Sequence, residues 1–123
     1  MGQSSTDWNN NSNWCSNTKP TSSTDVKIAA SSFQPTIGIV GGLSKTITID
    51  AGSTLTILGS STLALSGDWI NNGTLSSSGT TTFNGTVPQS IGGVGTNVFN
   101  NLSNSNITSA VTTTSDITIN GIL

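Results

Sequence analysis

The sequence predicts an all-β chain wound as a parallel β-solenoid. Three observations lead there. Apolar and hydroxylated residues alternate strictly over short runs, those runs recur at a nearly constant step, and clusters of Gly, Asn and Ser lie between them. An antiparallel β-sandwich is the alternative architecture. The apolar set favours the solenoid. It is mostly Ile, Leu and Val with few aromatics, which suits a thin core that stacks like on like.

The chain divides into two regions. Residues 1–24 read as an N-terminal cap or loop segment and residues 25–123 as the solenoid repeats. The stretch Asp7-Trp8-Asn9-Asn10-Asn11-Ser12-Asn13-Trp14 has neither a helical nor a strand period, so its two tryptophans read as anchors of a loop. Pro20-Thr21-Ser22-Ser23-Thr24-Asp25 is a turn leading into a first strand, Val26-Lys27-Ile28. Strict alternation follows in Thr46-Ile47-Thr48-Ile49, Thr54-Leu55-Thr56-Ile57, Thr62-Leu63-Ala64-Leu65, Thr80-Thr81-Thr82-Phe83 and Ile117-Thr118-Ile119. In each, one face is apolar and the other polar. Ala51-Gly52-Ser53, Gly59-Ser60-Ser61, Asn71-Asn72-Gly73 and Asn84-Gly85 are the turns between them.

A longer repeat overlays the alternation. Ile47, Leu55 and Leu63 are spaced by 8, as are Leu75, Phe83, Ile91, Phe99 and Ile107. Two or three strand-plus-turn units make a coil of roughly 16 to 26 residues. The predicted inward set is Ile47, Ile49, Leu55, Ile57, Leu63, Leu65, Leu75, Phe83, Ile117 and Ile119. Asn side chains at the bends are expected to ladder between coils. The last residues, Asn120-Gly121-Ile122-Leu123, stop without a polar cap, so the chain reads as a piece of a longer array or one that pairs with another copy.

Composition narrows the functional classes. Ser and Thr contribute 21 residues each, Asn and Gly 14 each, and only 7% of residues are charged. Hydrophobic content of 32%, arranged periodically, argues for a folded chain and against disorder. Three lysines and a net charge of −2 cannot assemble a phosphate-binding surface, so nucleic acid is not an expected partner. No apolar run is long enough to span a bilayer. The start, Met1-Gly2-Gln3-Ser4-Ser5, is polar and shows no signal peptide. The composition nevertheless suits exported, extracellular or cell-surface material.

No catalytic, cofactor-binding or metal-binding set is expected. The chain has no His, Arg, Glu or Tyr, and its five acids, Asp7, Asp25, Asp50, Asp68 and Asp116, are spaced by 18, 25, 18 and 48 residues. Carbohydrate-active enzymes need two convergent carboxyl groups. Asp50 and Asp68 are the pair that neighbouring coils could bring together, whereas Asp25, Asp50 and Asp116 read more simply as residues flanking strands. No Ca²⁺-loop pattern is present. Cys15 is the only cysteine and lacks a His to activate it, so it reads as a partly buried thiol. The Asn-x-Ser/Thr sequences at Asn10, Asn72, Asn84, Asn101 and Asn106 are expected by chance in such a composition.

Thr46/Thr48, Thr54/Thr56, Thr80/Thr82 and Thr112/Thr114 are T-x-T pairs on strands, and the first six are candidate ligand- or ice-facing residues. Their spacings of 8, 26 and 32 are irregular, and the β propensity of Thr explains such pairs without a ligand. Trp8, Trp14 and Trp69 could stack on sugars if exposed. Beside turns, they are expected to cap the core instead.

Several words resemble a known family. Asp7-Trp8, Asn13-Trp14 and Lys19-Pro20-Thr21-Ser22-Ser23-Thr24-Asp25-Val26 are similar to the opening of large secreted surface proteins of gliding-type Gram-negative bacteria. Ala51-Gly52-Ser53-Thr54-Leu55-Thr56-Ile57, Gly67-Asp68-Trp69-Ile70-Asn71-Asn72-Gly73-Thr74-Leu75, Thr82-Phe83-Asn84-Gly85-Thr86, Gln89-Ser90-Ile91-Gly92-Gly93 and Phe99-Asn100-Asn101-Leu102 resemble the repeats that follow. The resemblance implies a β-helical stalk or adhesin of the type IX-secreted kind and supplies no catalytic residue. The expected function is therefore an extracellular structural or adhesive module: a stalk, spacer or fibre-forming subunit. Its expected partners are copies of itself, further repeats or surface polysaccharide. Ice binding and carbohydrate binding are the alternatives.

Overall fold

A computed structural model describes residues 4–123; residues 1–3, at the start of the expected cap, lie outside it. The chain forms a parallel β-solenoid with three faces. The first coil holds β1 (Val26–Ile28), β2 (Thr36–Ile37) and β3 (Gly42–Ser44). The second holds β4 (Ile47–Ile49), β5 (Thr54–Ile57) and β6 (Thr62–Leu65), and the third β7 (Trp69–Asn71), β8 (Thr74–Ser77) and β9 (Thr80–Phe83). The fourth holds β10 (Gln89–Gly92), β11 (Asn97–Phe99) and β12 (Asn101–Asn104). A fifth contributes β13 (Val111–Thr113) and β14 (Ile117–Ile119).

Every face is a stack of corresponding strands. The first face runs β1-β4-β7-β10-β13, and the third runs through β3, β6, β9 and β12. The second is β2-β5-β8, continued to β11-β14 by a parallel bridge from Thr74 to Thr96. All named pairs are parallel, which sets the antiparallel sandwich aside. The coil step follows from the register. Val26 pairs with Ile47 and Ile47 with Trp69, a step of 21 or 22, whereas Thr62 pairs with Thr80, a step of 18. The 8-residue spacing is thus the distance from one face to the next, and three strands close a coil.

Alternation decides what lies inside. Ile47 and Ile49 are buried while Thr48 between them points outward, and Leu55, Ile57, Leu63 and Leu65 repeat the pattern. Each such side chain removed from water contributes about 1.5–3 kcal/mol. The expected inward set holds except at Ile117 and Ile119, which lie in the outermost coil described and are only half-buried. Ile107 extends the 8-residue series in the sequence but is 95% exposed, since it sits in the loop between β12 and β13.

Trp69 corrects another expectation. It does not cap the core; it fills an inward position between Ile47 and Ile91 of the adjoining coils. Its indole lies 5.3 Å from the Phe99 ring and donates through Nε1 to Asn97 Oδ1 at 2.8 Å. The other two tryptophans do form the cap. Trp8 and Trp14 meet edge to face at 4.9 Å, and Trp14 Nε1 donates to the Trp8 carbonyl at 2.9 Å. A 3₁₀ turn at Asn11–Asn13 turns Asn13 inward, where Oδ1 accepts from Ser4 and Ser5 and Nδ2 donates to the Asp7 carbonyl. The cap also adds a partial row to the second face, because Asp7 bridges to Thr36 in parallel.

Corners stack as closely as strands. A Cβ on Gly79 would lie 2.5 Å from the carbonyl oxygens of Leu58 and Ser61 in the coil before, so only glycine lets the two bends nest. Gly93, at φ +104°, is held against the Asn71 backbone in the same way.

Candidate functional site

The outward positions of each face form columns along the solenoid axis. On the first face one column reads Lys27, Thr48, Ile70, Gly92 and another Asp25, Thr46, Asp68, Ser90. On the second, Thr36, Thr56, Ser76 line up beside Gln34, Thr54, Thr74. On the third, Leu43, Ala64, Thr82, Ser103 lie beside Gly41, Thr62, Thr80, Asn101. The six candidate threonines therefore do not share a face. Thr46 and Thr48 belong to the first, Thr54 and Thr56 to the second, and Thr80 and Thr82 to the third. Strand alternation says only that a side chain points outward; the coil closure that assigns it to a face is set by the corners.

Asp25, Asp50, Asp68, Lys27 and Lys45 gather on the first face or its edges and tie one coil to the next. Asp25 Oδ1 accepts from Thr46 N at 3.3 Å, and Asp68 Oδ1 accepts from Ser90 N at 2.8 Å. Thr46 Oγ1 accepts from Asp68 N at 3.4 Å between them. Two exposed ion pairs run alongside, Lys27 to Asp50 at 3.4 Å and Lys45 to Asp25 at 3.6 Å. Asp50 and Asp68 are not brought together. They lie at opposite ends of the face, four residues of strand apart or about 13 Å, beyond the roughly 5–9.5 Å of glycosidase carboxyl pairs. Among the described residues, no three of His, Cys, Asp or Glu converge on a point that could hold a metal.

Buried amides provide a second set of ties, which nothing in the strand pattern announces. Gln89 is 1% exposed; its Oε1 accepts from Gly85 N at 2.8 Å and Asn106 Nδ2 at 3.1 Å. Its Nε2 donates to the carbonyls of Leu65 and Gly67, at 3.1 and 2.6 Å, at the corner where the second coil passes into the third. Asn71 Nδ2 donates to the Thr96 carbonyl and Asn106 Nδ2 to Val87, and at the surface Asn100 Nδ2 donates to the Ser78 carbonyl. The expected Asn ladder is therefore a set of side chain–backbone bonds at different corners, not one stacked column. Satisfying buried amides in this way fixes the register, since a slipped coil would leave them unpaired.

A groove of about 450 Å³ runs at the edge of the third face, lined by Asn9, Lys19, Ile39, Val40, Leu43 and Ala64 among others, with no carboxylate. A smaller one of about 150 Å³ opens beneath the last coil between Phe83, Ile91, Leu102, Val111, Ile117 and Leu123. The three tryptophans are buried, so none can stack on a sugar from outside. Cys15 is exposed rather than partly buried, because it follows the 3₁₀ turn on the outer surface of the cap.

A family model described as a domain of unknown function (DUF8693) matches residues 1–87. The chain belongs to this family. The matched region comprises the cap and the first three coils, including the Trp8–Trp14 contact and the Asp25–Thr46–Asp68 rungs. No curated protein and no solved structure matches the chain.

Proposed function

We propose that this chain is a structural repeat module of a cell surface: a stiff, non-catalytic rod that spaces or anchors what is attached to it. The observation that carries this reading is where its polar chemistry is used. Asp25, Asp68, Gln89, Asn71 and Asn106 all hydrogen-bond to the backbone of an adjoining coil, and both ion pairs join coils as well. These groups serve to hold coils in register. A three-faced stack in which each coil contacts only its neighbours transmits load along one axis.

The resemblance to secreted surface proteins of gliding-type Gram-negative bacteria supports the extracellular part of the proposal. So does a surface built from hydroxyl and amide groups. The proposed partners are copies of itself or further repeats, added by the same parallel strand pairing that joins one coil to the next, with surface polysaccharide as a further partner.

Antibodies against the purified chain test the reading on intact source cells. They should label unpermeabilised cells, and deleting the coding region should shorten or weaken the surface layer or reduce attachment. Labelling only after permeabilisation contradicts the proposal.

A further inference from the structure

We propose that the second face binds ice. Its outward side chains form a charge-free array that orders water at the coil repeat. They are hydroxyl and methyl groups except for the Gln34 amide at one end, which is turned onto the protein by accepting from Thr54 N and donating to the Ser31 carbonyl. The array is assembled by the register. Thr36 pairs with Thr56 and Thr56 with Ser76, while Thr54 pairs with Thr74 and Thr74 bridges to Thr96. The rows are Gln34/Thr36, Thr54/Thr56, Thr74/Ser76 and Thr96/Val98. Successive rows lie about 4.8 Å apart, and the two members of a row about 7 Å apart.

Three features mark this face, and its unbroken hydroxyl columns set it apart from the equally charge-free third face, where Gly41, Leu43, Ala64 and Asn101 interrupt them. The first is charge. Asp25, Lys27, Lys45, Asp50 and Asp68 lie on the first face or its edges, and the four rows of the second face carry none. Asp7 and Asp116 stand at its two ends, just outside the array. An ion holds its own hydration shell strongly, which would break a lattice of neutral water. The second is free hydrogen-bonding capacity. Among the described residues, the hydroxyls of Thr36, Thr54, Thr56, Thr74, Ser76 and Thr96 bond to no protein group, so all six in the array are available to water. On the other faces Thr48, Thr62 and Thr82 are as free, but Thr46 and Thr80 accept hydrogen bonds from adjoining coils. The third is stiffness. Thr is restricted at χ1, and its backbone here is pinned in a parallel stack, so the hydroxyls are placed before a ligand arrives.

The occupant follows from that chemistry. A two-dimensional array of neutral donors and acceptors beside methyl groups matches a repeating neutral lattice, through waters held between hydroxyls. Crystalline polysaccharide offers a repeating surface too, but sugar rings are gripped by aromatic faces. The outward rows contain none, and all three tryptophans are buried. The rod and the ice-binding face use different surfaces, so neither proposal depends on the other.

Ice-affinity partition of the purified chain tests this, with three variants. Thr56→Lys and Thr74→Lys place a charge in the array; Thr82→Lys places one on the third face. All three positions point outward and are at least partly exposed, so far-UV circular dichroism and thermal melting should match the parent. The parent and Thr82→Lys should be taken up into growing ice and inhibit its recrystallisation. Thr56→Lys and Thr74→Lys should lose most of both activities. Exclusion of the parent chain from ice overturns the proposal, as does equal loss in Thr82→Lys. Adsorption to crystalline cellulose with no uptake into ice overturns it in favour of polysaccharide.

Discussion

Replacing Asn97 by Leu should destabilise the solenoid by about 2–3 kcal/mol, although Leu is apolar and close in size. Asn97 is 2% exposed and Trp69 fully buried, and their contact joins the third coil to the fourth. Removing Oδ1 leaves the Trp69 N–H without an acceptor in a site water does not reach, at a cost of about 1–3 kcal/mol. The 3.1 Å bond from Asn97 Nδ2 to Ser115 Oγ is lost too, adding up to about 1 kcal/mol because it is only part-buried. Urea unfolding followed by far-UV circular dichroism should show a midpoint lower by about 1 M or more. Trp69→Phe supplies the control. The double variant has neither donor nor acceptor, so its loss should fall short of the summed single losses by about 1–2 kcal/mol. Additivity within about 0.5 kcal/mol, or an unchanged midpoint for Asn97→Leu, would refute the claim that this buried pair holds two coils together.

Other perturbations probe different parts of the stack. Thr81 is fully buried with its hydroxyl lacking a partner, so Thr81→Val should raise stability by about 1 kcal/mol in the same urea assay. Gly79→Ala should do the reverse and lower the midpoint, since its methyl meets two carbonyl oxygens of the preceding corner. Asp50→Asn removes an exposed ion pair with Lys27 and should cost at most about 1 kcal/mol, an effect that disappears in high salt. Finally, the Asn-Gly steps at Asn72, Asn84 and Asn120 should deamidate slowly in the folded chain and rapidly in urea, as read by mass spectrometry. The Gly73, Gly85 and Gly121 amides that would attack the Asn side chain are already donating to Asn71 Oδ1, Gln89 Oε1 and the Asn100 carbonyl.

Much of the architecture was legible because period-two alternation survives in single strands. Ile47, Leu55 and Leu63 announce both their burial and the distance between faces. Closure of the coil was not legible. It depends on corners of unequal length, so a fixed step of 8 passes over Trp69 and points to Ile107, which lies in a loop. Trp69 departs from its sequence pattern for a physical reason as well. A large aromatic beside Asn and Gly suits a cap, and only the third dimension shows the space between Ile47 and Ile91 that it fills. The threonine pairs were visible, but which of them line up depends on the register. Thr54 and Thr56 therefore stay in the candidate array, while Thr46, Thr48, Thr80 and Thr82 leave it. Gln89 and Asn97 gave no signal, because a buried amide looks like a surface one until its partners in adjoining coils are known.

The central claim is a stiff rod of parallel coils in fixed register. Spin labels at Lys27→Cys and Thr114→Cys, in a Cys15→Ser background, test it by pulsed electron resonance. Lys27, Thr48, Ile70, Gly92 and Thr114 follow one another up a single column. Four coil steps separate the labels, about 19 Å between backbones. The account predicts one narrow distance distribution centred on that value plus the label arms. A broad distribution, or a mean that departs from four coil steps, would contradict it.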